Sequence, residues 1–231
     1  MIRRCLIIDV ETTGLNPAVD RVIEIGAVLY SVTNRTTLVQ FSVLVANDEN
    51  PAEKVNRIPV SALREVRELD DSPAPLQSTL TTLRSLADVI VAHNAEFDRS
   101  FFRGKWLELP WLCSAFDFTW PAASRDVSGL IHLALEHGIG VSSAHRALSD
   151  CQLIAALFDR MALYGCDLQE MFAHAMRPKA LFQSLQPFDH NEVAKAAGFK
   201  WDGTSKRWTR RMAIDDAATL PFKTIQLQEI A

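Results

Sequence analysis

No stretch of the 231-residue chain approaches the roughly twenty consecutive apolar residues that a membrane-crossing helix needs. The N-terminal apolar run stops at Asp9 after a few residues, too soon for the core of an export signal. A soluble, cytoplasmic protein without a membrane partner is therefore expected. Cysteine is scarce: Cys5, Cys113, Cys151 and Cys166 are scattered, with no Cys-x-x-Cys pair. That argues against zinc and for reduced core thiols. A basic excess is missing as well, since 24 Lys and Arg face 28 Asp and Glu for a net charge of −4. Phosphate binding rests on Lys and Arg. The deficit does not exclude it, because acids gathered to hold divalent cations offset basic residues placed elsewhere. Internal repeats and low-complexity tracts are absent, and 48% hydrophobic with 23% charged residues is the balance of a globular protein.

What is present reads as strands followed by alternating elements. Arg4 to Val10 is a short, nearly continuous apolar run, the pattern of a strand buried on both faces. Arg21 to Thr33 and Thr36 to Val45 are β-branched segments separated by Asn34-Arg35, the spacing of a hairpin. Pro51 to Leu86 carries helical stretches broken at Pro59, Pro73 and Pro75, with Leu76, Leu80, Leu83 and Leu86 on one face. Asp88 to Ala92 returns as a buried strand. Helices are expected at Ala95 to Leu107, Ser128 to His137 and Ala147 to Tyr164. The order implies an α/β fold, a mixed sheet flanked by helices.

The texture changes after Met176-Arg177-Pro178-Lys179, so units of 1–176 and 177–231 are expected. In the second, Asp189 with Glu192 resembles a capping box opening a helix that Gly198 closes. Phe199-Lys200-Trp201 and Arg207-Trp208-Thr209 flank a turn and suggest a hairpin. Lys200, Trp201, Lys206, Arg207 and Trp208 suit single-stranded nucleic acid, by phosphate attraction and base stacking. A tryptophan pair serving as the core of a small hairpin is the alternative.

Three acidic segments carry the chemistry. Asp9 and Glu11 are two residues apart on the first strand, so both carboxylates point to one side. Alone, that also fits a solvated strand end. Asp98, in His93-Asn94-Ala95-Glu96-Phe97-Asp98, shares a helix side with Phe101 and Phe102. A carboxylate there costs several kcal/mol unless a cation or hydrogen bonds compensate it; a helix-start acid bonded to backbone amides is the alternative. Asp150 shares a stripe with Ala147, Ile154 and Leu157. His145, five residues before Asp150 and about 140° away on an ideal helix, belongs to the preceding loop. Four acids with only Arg99 and Arg146 beside them call for divalent counter-charge, and oxygen ligands favour Mg²⁺ or Mn²⁺.

Ile8-Asp9-Val10-Glu11-Thr12-Thr13-Gly14-Leu15, His93-Asn94-Ala95-Glu96-Phe97-Asp98 and His145-Arg146-Ala147-Leu148-Ser149-Asp150 resemble, in order and separation, the three motifs of the DEDDh 3′ to 5′ exonucleases. That family includes bacterial proofreading subunits and ribonuclease T. Trp111-Leu112-Cys113, the Asp150-Cys151 pair and the C-terminal extension look most like exodeoxyribonuclease X within it. The resemblance implies a ribonuclease-H-like fold with a five-stranded mixed sheet, its first three strands antiparallel, and a small α+β C-terminal extension. It implies two Mg²⁺ or Mn²⁺ ions. Asp9 would bridge both, Glu11 and Asp150 would hold the one that activates water, Asp98 would support the second, and His145 would be the general base. Thr12, Thr13, Gly14 and Leu15 would contact the terminal nucleotide, and Asn94 and Phe97 would line the site. The implied partners are nucleic acid, DNA ahead of RNA, then a polymerase or repair complex, or a second copy of the chain. Asn56-Arg57-Ile58-Pro59 departs from the His-Gly-Ile-Thr-like turn of many relatives, which puts substrate contacts there in doubt.

Overall fold

The computed structural model describes residues 1–69, 74–123, 129–142, 145–187, 191–203 and 205–227. Leu, Ile and Val run almost unbroken through β1 (Arg4–Thr12), which sits in the middle of the main sheet. It pairs antiparallel with β2 (Val22–Ser31), which pairs antiparallel with β3 (Thr36–Leu44) through the expected hairpin. One-turn α1 (Glu53–Asn56), α2 (Val60–Leu69) and α3 (Ala74–Ser85) lead to β4 (Val89–Ala92), parallel to β1. After α4 (Ala95–Ser100), β5 (Trp111–Cys113) adds in parallel to β4. The order β3-β2-β1-β4-β5 is a mixed five-stranded sheet flanked by helices, the ribonuclease-H-like arrangement.

Strand alternation sends Cys5 and Ile7 to one face of β1, and Leu6, Ile8 and Val10 to the other. The first face packs on α5 (Leu130–Glu136), α6 (Ala147–Arg160) and α7 (Leu168–Ala175) through Leu133, Ile154, Phe158 and Phe172. The second is covered by Leu80 and Leu83 of α3, and by Ala95 and Phe102. All four cysteines are free, Cys5 and Cys151 among the buried residues.

Several boundaries differ from expectation. The helix predicted from Ala95 to Leu107 stops at Ser100, and Gly104–Leu107 forms a separate 3₁₀ turn in which Gly104 takes φ 60. The run to Tyr164 changes from α-helix at Arg160 to a 3₁₀ turn, Met161–Tyr164, closed by left-handed Gly165. Pro75 does not break a helix but lies in the first turn of α3, where its missing N–H has no intrahelical acceptor to lose. Leu86 falls beyond α3 and is exposed. Ser128 lies outside the described residues.

Beyond Pro178, β6 (Lys179–Ser184), α8 (Asn191–Ala196), β7 (Lys200–Asp202), β8 (Arg207–Ala213), one-turn α9 (Ile214–Ala217) and β9 (Thr224–Gln226) follow. The strands form an antiparallel sheet in the order β7-β8-β6-β9. The β7-β8 hairpin is as expected; Asp189 of the capping box lies outside the described residues. Strand β6 corrects the reading of Lys179 as part of a break, and β9 had no forecast. Ala180, Phe182, Ala194, Phe199 and Met212 give this sheet its own core, with Trp208 against it.

One glycine positions α6. A Cβ on Gly26 would stand 2.3 Å from the Ala147 carbonyl carbon and 2.4 Å from the Leu148 nitrogen, so the first turn of α6 lies directly on β2. Both neighbours are backbone and cannot swing aside. Gly26→Ala is expected to push α6 outward and lower the unfolding free energy by about 1–3 kcal/mol, the usual cost of overpacking. Urea denaturation measures it, and an unchanged midpoint would refute the close approach.

Candidate active site

Alternation carries Asp9 and Glu11 to the α6 side of β1, the side occupied by Ile7. Gly26 is the β2 partner of Asp9, so the gap left by its missing side chain admits the turn of α6 that bears Asp150. Asp98 comes from α4, is 1% exposed, and its Oδ1 accepts a hydrogen bond from the Val10 amide at 3.1 Å. Three segments far apart in sequence thus converge at one end of β1.

Their charges are felt mutually. Burial, then Asp98, Asp150, Glu11 and Glu24, holds the Asp9 carboxyl well above the ordinary range. Burial first, then the Asp150 and Glu24 carboxylates, raises Glu11 to about 7 against the pull of Arg146. Asp98 rises to about 8, chiefly by burial, against hydrogen bonds from the backbone. Asp150 is raised by burial, while His145 lowers it through its charge and its backbone amide. One oxygen of Asp150, Oδ1, is buried without a hydrogen-bond partner.

A buried acceptor lacking a donor among mutually repelling carboxylates suits a hard divalent cation. Among the described residues no three His, Cys, Asp or Glu side chains are already gathered at ligating geometry. Like charges push apart, and a cation is what would draw these together.

The Thr12 to Leu15 loop is built on Asp20. Its carboxylate accepts from the Thr13 hydroxyl at 3.1 Å and the Asn16 amide at 2.8 Å, and a Cβ on Gly14 would collide with it at 2.5 Å. Leu15 projects beyond the loop, 83% exposed. The departing Asn56 segment has a structural part to play. Buried Asn56 donates to the Thr12 carbonyl at 3.3 Å and exchanges hydrogen bonds with Asn50. Arg57 after it takes φ 58, the left-handed region that favours glycine. Phe97 packs edge-on against Phe101, and left-handed Asn94 accepts a hydrogen bond from Lys200 of the second sheet.

Sequence reasoning missed Glu24. Its side chain is 2% exposed and stands across from Glu11 in the β1-β2 register. Its two oxygens take Arg146 Nε at 2.9 Å and Nη2 at 2.8 Å, and the Ala147 amide donates to Oε2 at 3.1 Å. An acid between Ile23 and Ile25 is the one local feature that sets it apart, and alternation alone explains that as an outward-facing strand position. Glu24 clamps the residues on either side of the α6 start, directly after His145. Glu24→Gln, which removes the charge of the pair and leaves one acceptor oxygen where Arg146 uses two, is expected to lower turnover about tenfold with KM little changed. Steady-state kinetics checks this, and a KM effect with unchanged turnover would contradict a positioning role.

Of the expected nucleic-acid contacts in the second unit, Trp201 and Trp208 pack on each other at 5.9 Å, Trp201 being 50% exposed. Lys206 and Arg207 are exposed around the hairpin turn.

Residues 6–158 match the family model described as exonuclease, and residues 180–227 match a domain of unknown function (DUF8626). The DNA polymerase III subunit epsilon of Treponema pallidum (strain Nichols) is 31% identical over 201 residues, covering 77% of this chain and 86% of that protein. E. coli exonuclease I solved with a dT13 oligonucleotide aligns over 79% of this chain and 48% of its own, at 17% identity and TM-score 0.56. An exonuclease X solved with 5′ overhanging duplex DNA aligns over 74% of this chain and 99% of its own, at 24% identity and TM-score 0.48. Among the described residues no helix is long and apolar enough to cross a membrane. With its family model covering most of the main sheet and the helices on it, the chain belongs to the exonuclease family, in the DEDDh 3′ to 5′ superfamily that its motifs resemble, and is a nuclease.

Proposed function

We propose that the enzyme removes nucleotides one at a time from the 3′ end of DNA, preferring single strands or frayed ends, and releases nucleoside 5′-monophosphates. The observation that carries this reading is the set Asp9, Glu11, Asp98 and Asp150, each raised by burial and by neighbouring acids, with a donorless Asp150 oxygen and His145 alongside. Two Mg²⁺ or Mn²⁺ ions held there would supply the positive charge that stabilises a phosphodiester under attack. Asp9, Glu11, Asp98 and Asp150 would hold them. His145 takes the proton from the attacking water as the water oxygen bonds to phosphorus, and the P–O3′ bond breaks with the leaving O3′ taking a proton from solvent. Thr12, Thr13 and Gly14 seat the terminal nucleotide, with Leu15 against its base and Asn94 and Phe97 lining the opposite wall.

The similarity to a DNA polymerase III subunit favours DNA and a replication or repair complex as partner. In this reading residues 1–176 form the catalytic unit and 177–231 an appended one. Matched DNA and RNA oligonucleotides labelled at the 5′ end, incubated with Mg²⁺, test the substrate. Ladders shortening from the 3′ end of DNA are expected, and degradation of RNA alone would overturn the assignment.

A further inference from the structure

The second sheet turns an unusual face toward the catalytic unit. Ala180, Phe182 and Met212 point into its own core beside Ala194 of α8, so alternation sends Lys179, Leu181, Lys200, Thr209 and Arg211 to the other side. Two of these reach the catalytic unit directly, Lys179 to Asp117 and Lys200 to Asn94. Between the two units lies a cleft of about 130 Å³.

A surface that served only to dock the units would be apolar or charge-balanced. This cleft is lined by Arg99, Lys179, Lys200, Arg210 and Arg211 against only Glu96 and Asp117. Asp117 is taken by Lys179, and Lys200 is bonded to a neutral amide. Arg210 lies over the Phe116 ring at 5.4 Å, its Nη1 donating to the neutral Ala197 carbonyl and its Nε buried without a partner. Arg99 is exposed, and its side chain has no hydrogen bond or ion pair among the described residues. Arg99, Lys179 and Arg211 also border an adjoining cavity of about 350 Å³, so the basic surface continues along the junction. Cations gathered in this way repel one another unless an anion lies among them.

Position identifies the anion. Arg99 directly follows Asp98 on α4, and Asn94 stands at the start of that helix, so the cleft runs along the helix that carries one of the four carboxylates. A polyanion whose 3′ end occupies the carboxylate site has its next phosphates nearby, and a cleft of about 130 Å³ has no room for a duplex. We propose that the cleft between α4 and the second sheet grips the phosphodiester backbone of a single strand upstream of the reacting 3′ end. This rests on the exonuclease reading of the carboxylate site and adds a substrate-holding task for the appended unit.

The test uses the full chain with Arg99→Glu and Arg211→Glu, singly and together. Anisotropy of a labelled thymidine oligonucleotide of about twenty nucleotides, titrated with salt in EDTA, reads strand binding without hydrolysis. The double variant is expected to weaken binding about tenfold or more and to lower the salt slope by about two, one per lost phosphate contact. In Mg²⁺, KM for the long strand should rise at least tenfold while KM for a dinucleotide moves less than about twofold. Arg99→Lys should retain the natural salt slope, which separates charge from damage to the fold. Unchanged slopes, or equal losses on both substrate lengths, would overturn the proposal. Tighter binding of poly-glutamate than of the oligonucleotide would overturn it too, by giving the cleft to an acidic protein. Failure of the natural protein to cut either substrate in Mg²⁺ would count against the carboxylate reading instead, while the titration in EDTA still decides the cleft.

Discussion

Replacing Asp9 by asparagine is expected to cut turnover by about a thousandfold or more, some 4 kcal/mol of transition-state stabilisation, while making the ion-free protein more resistant to heat. The loss follows if Asp9 helps to hold the cations. The gain follows from burial and from four neighbouring acids, all of which oppose its charge. The pH dependence has a definite sign. Glu11 and Asp98 titrate near about 7 and about 8 in the folded chain, whereas unfolded carboxyls titrate near about 4. Folded pKa values above unfolded ones give stability that is full below about pH 4 and is lost as pH rises toward 8. In EDTA the natural protein should therefore melt at falling temperatures between about pH 5 and 8.5. Asp9→Asn should fall less steeply, having one charge fewer in the group, and Mg²⁺ should restore the natural protein at the alkaline end. Single-turnover digestion and melting curves across pH measure both halves. Equal activity of the two proteins would eliminate the site, and a variant that melts lower at every pH would give Asp9 a structural duty instead.

The central strand, the hairpin beside it and the shared side of Asp9 and Glu11 were legible because each depends on local pattern. Strand β1 is apolar on both faces, and the two-residue spacing of Asp9 and Glu11 needs only alternation. Glu24 was not legible, because along β2 it looks like a polar residue in a half-buried strand. Its meaning comes from Arg146, 122 residues away. The helix after Asp98 was drawn too long for a related reason: aromatic residues continue through Phe101, Phe102 and Trp106, but they pack as a cluster across a break rather than along one helix. Lys179 to Ser184 alternates half-buried with buried residues, yet Ala180-Leu181-Phe182 is an unbroken apolar triplet that conceals the alternation. The basic face of that sheet became visible only once pairing with β8 placed Lys179, Lys200 and Arg211 on one side.

Removing the imidazole of His145 is expected to lower turnover by about a hundredfold or more, the usual contribution of a positioned general base, with the Mg²⁺ or Mn²⁺ titration midpoint nearly unmoved. The backbone around it explains why ring and ligand functions should separate. His145 takes φ 58, a left-handed conformation that a residue with a Cβ adopts at a cost. Arg146 and the Ala147 amide are fastened to Glu24, while the His145 amide bonds to Asp150. The exposed side chain is thus carried on a fixed backbone next to a carboxylate, free to turn between an attacking water and bulk solvent while the backbone amide keeps its bond to Asp150. His145→Gly and His145→Ala should then lose the same activity. The glycine variant should be the more stable by about 1 kcal/mol, since it meets the positive φ without strain. Metal affinity collapsing in both variants would make His145 a ligand rather than a base. Alanine proving as stable as glycine would mean that the left-handed backbone relaxes once the ring is gone.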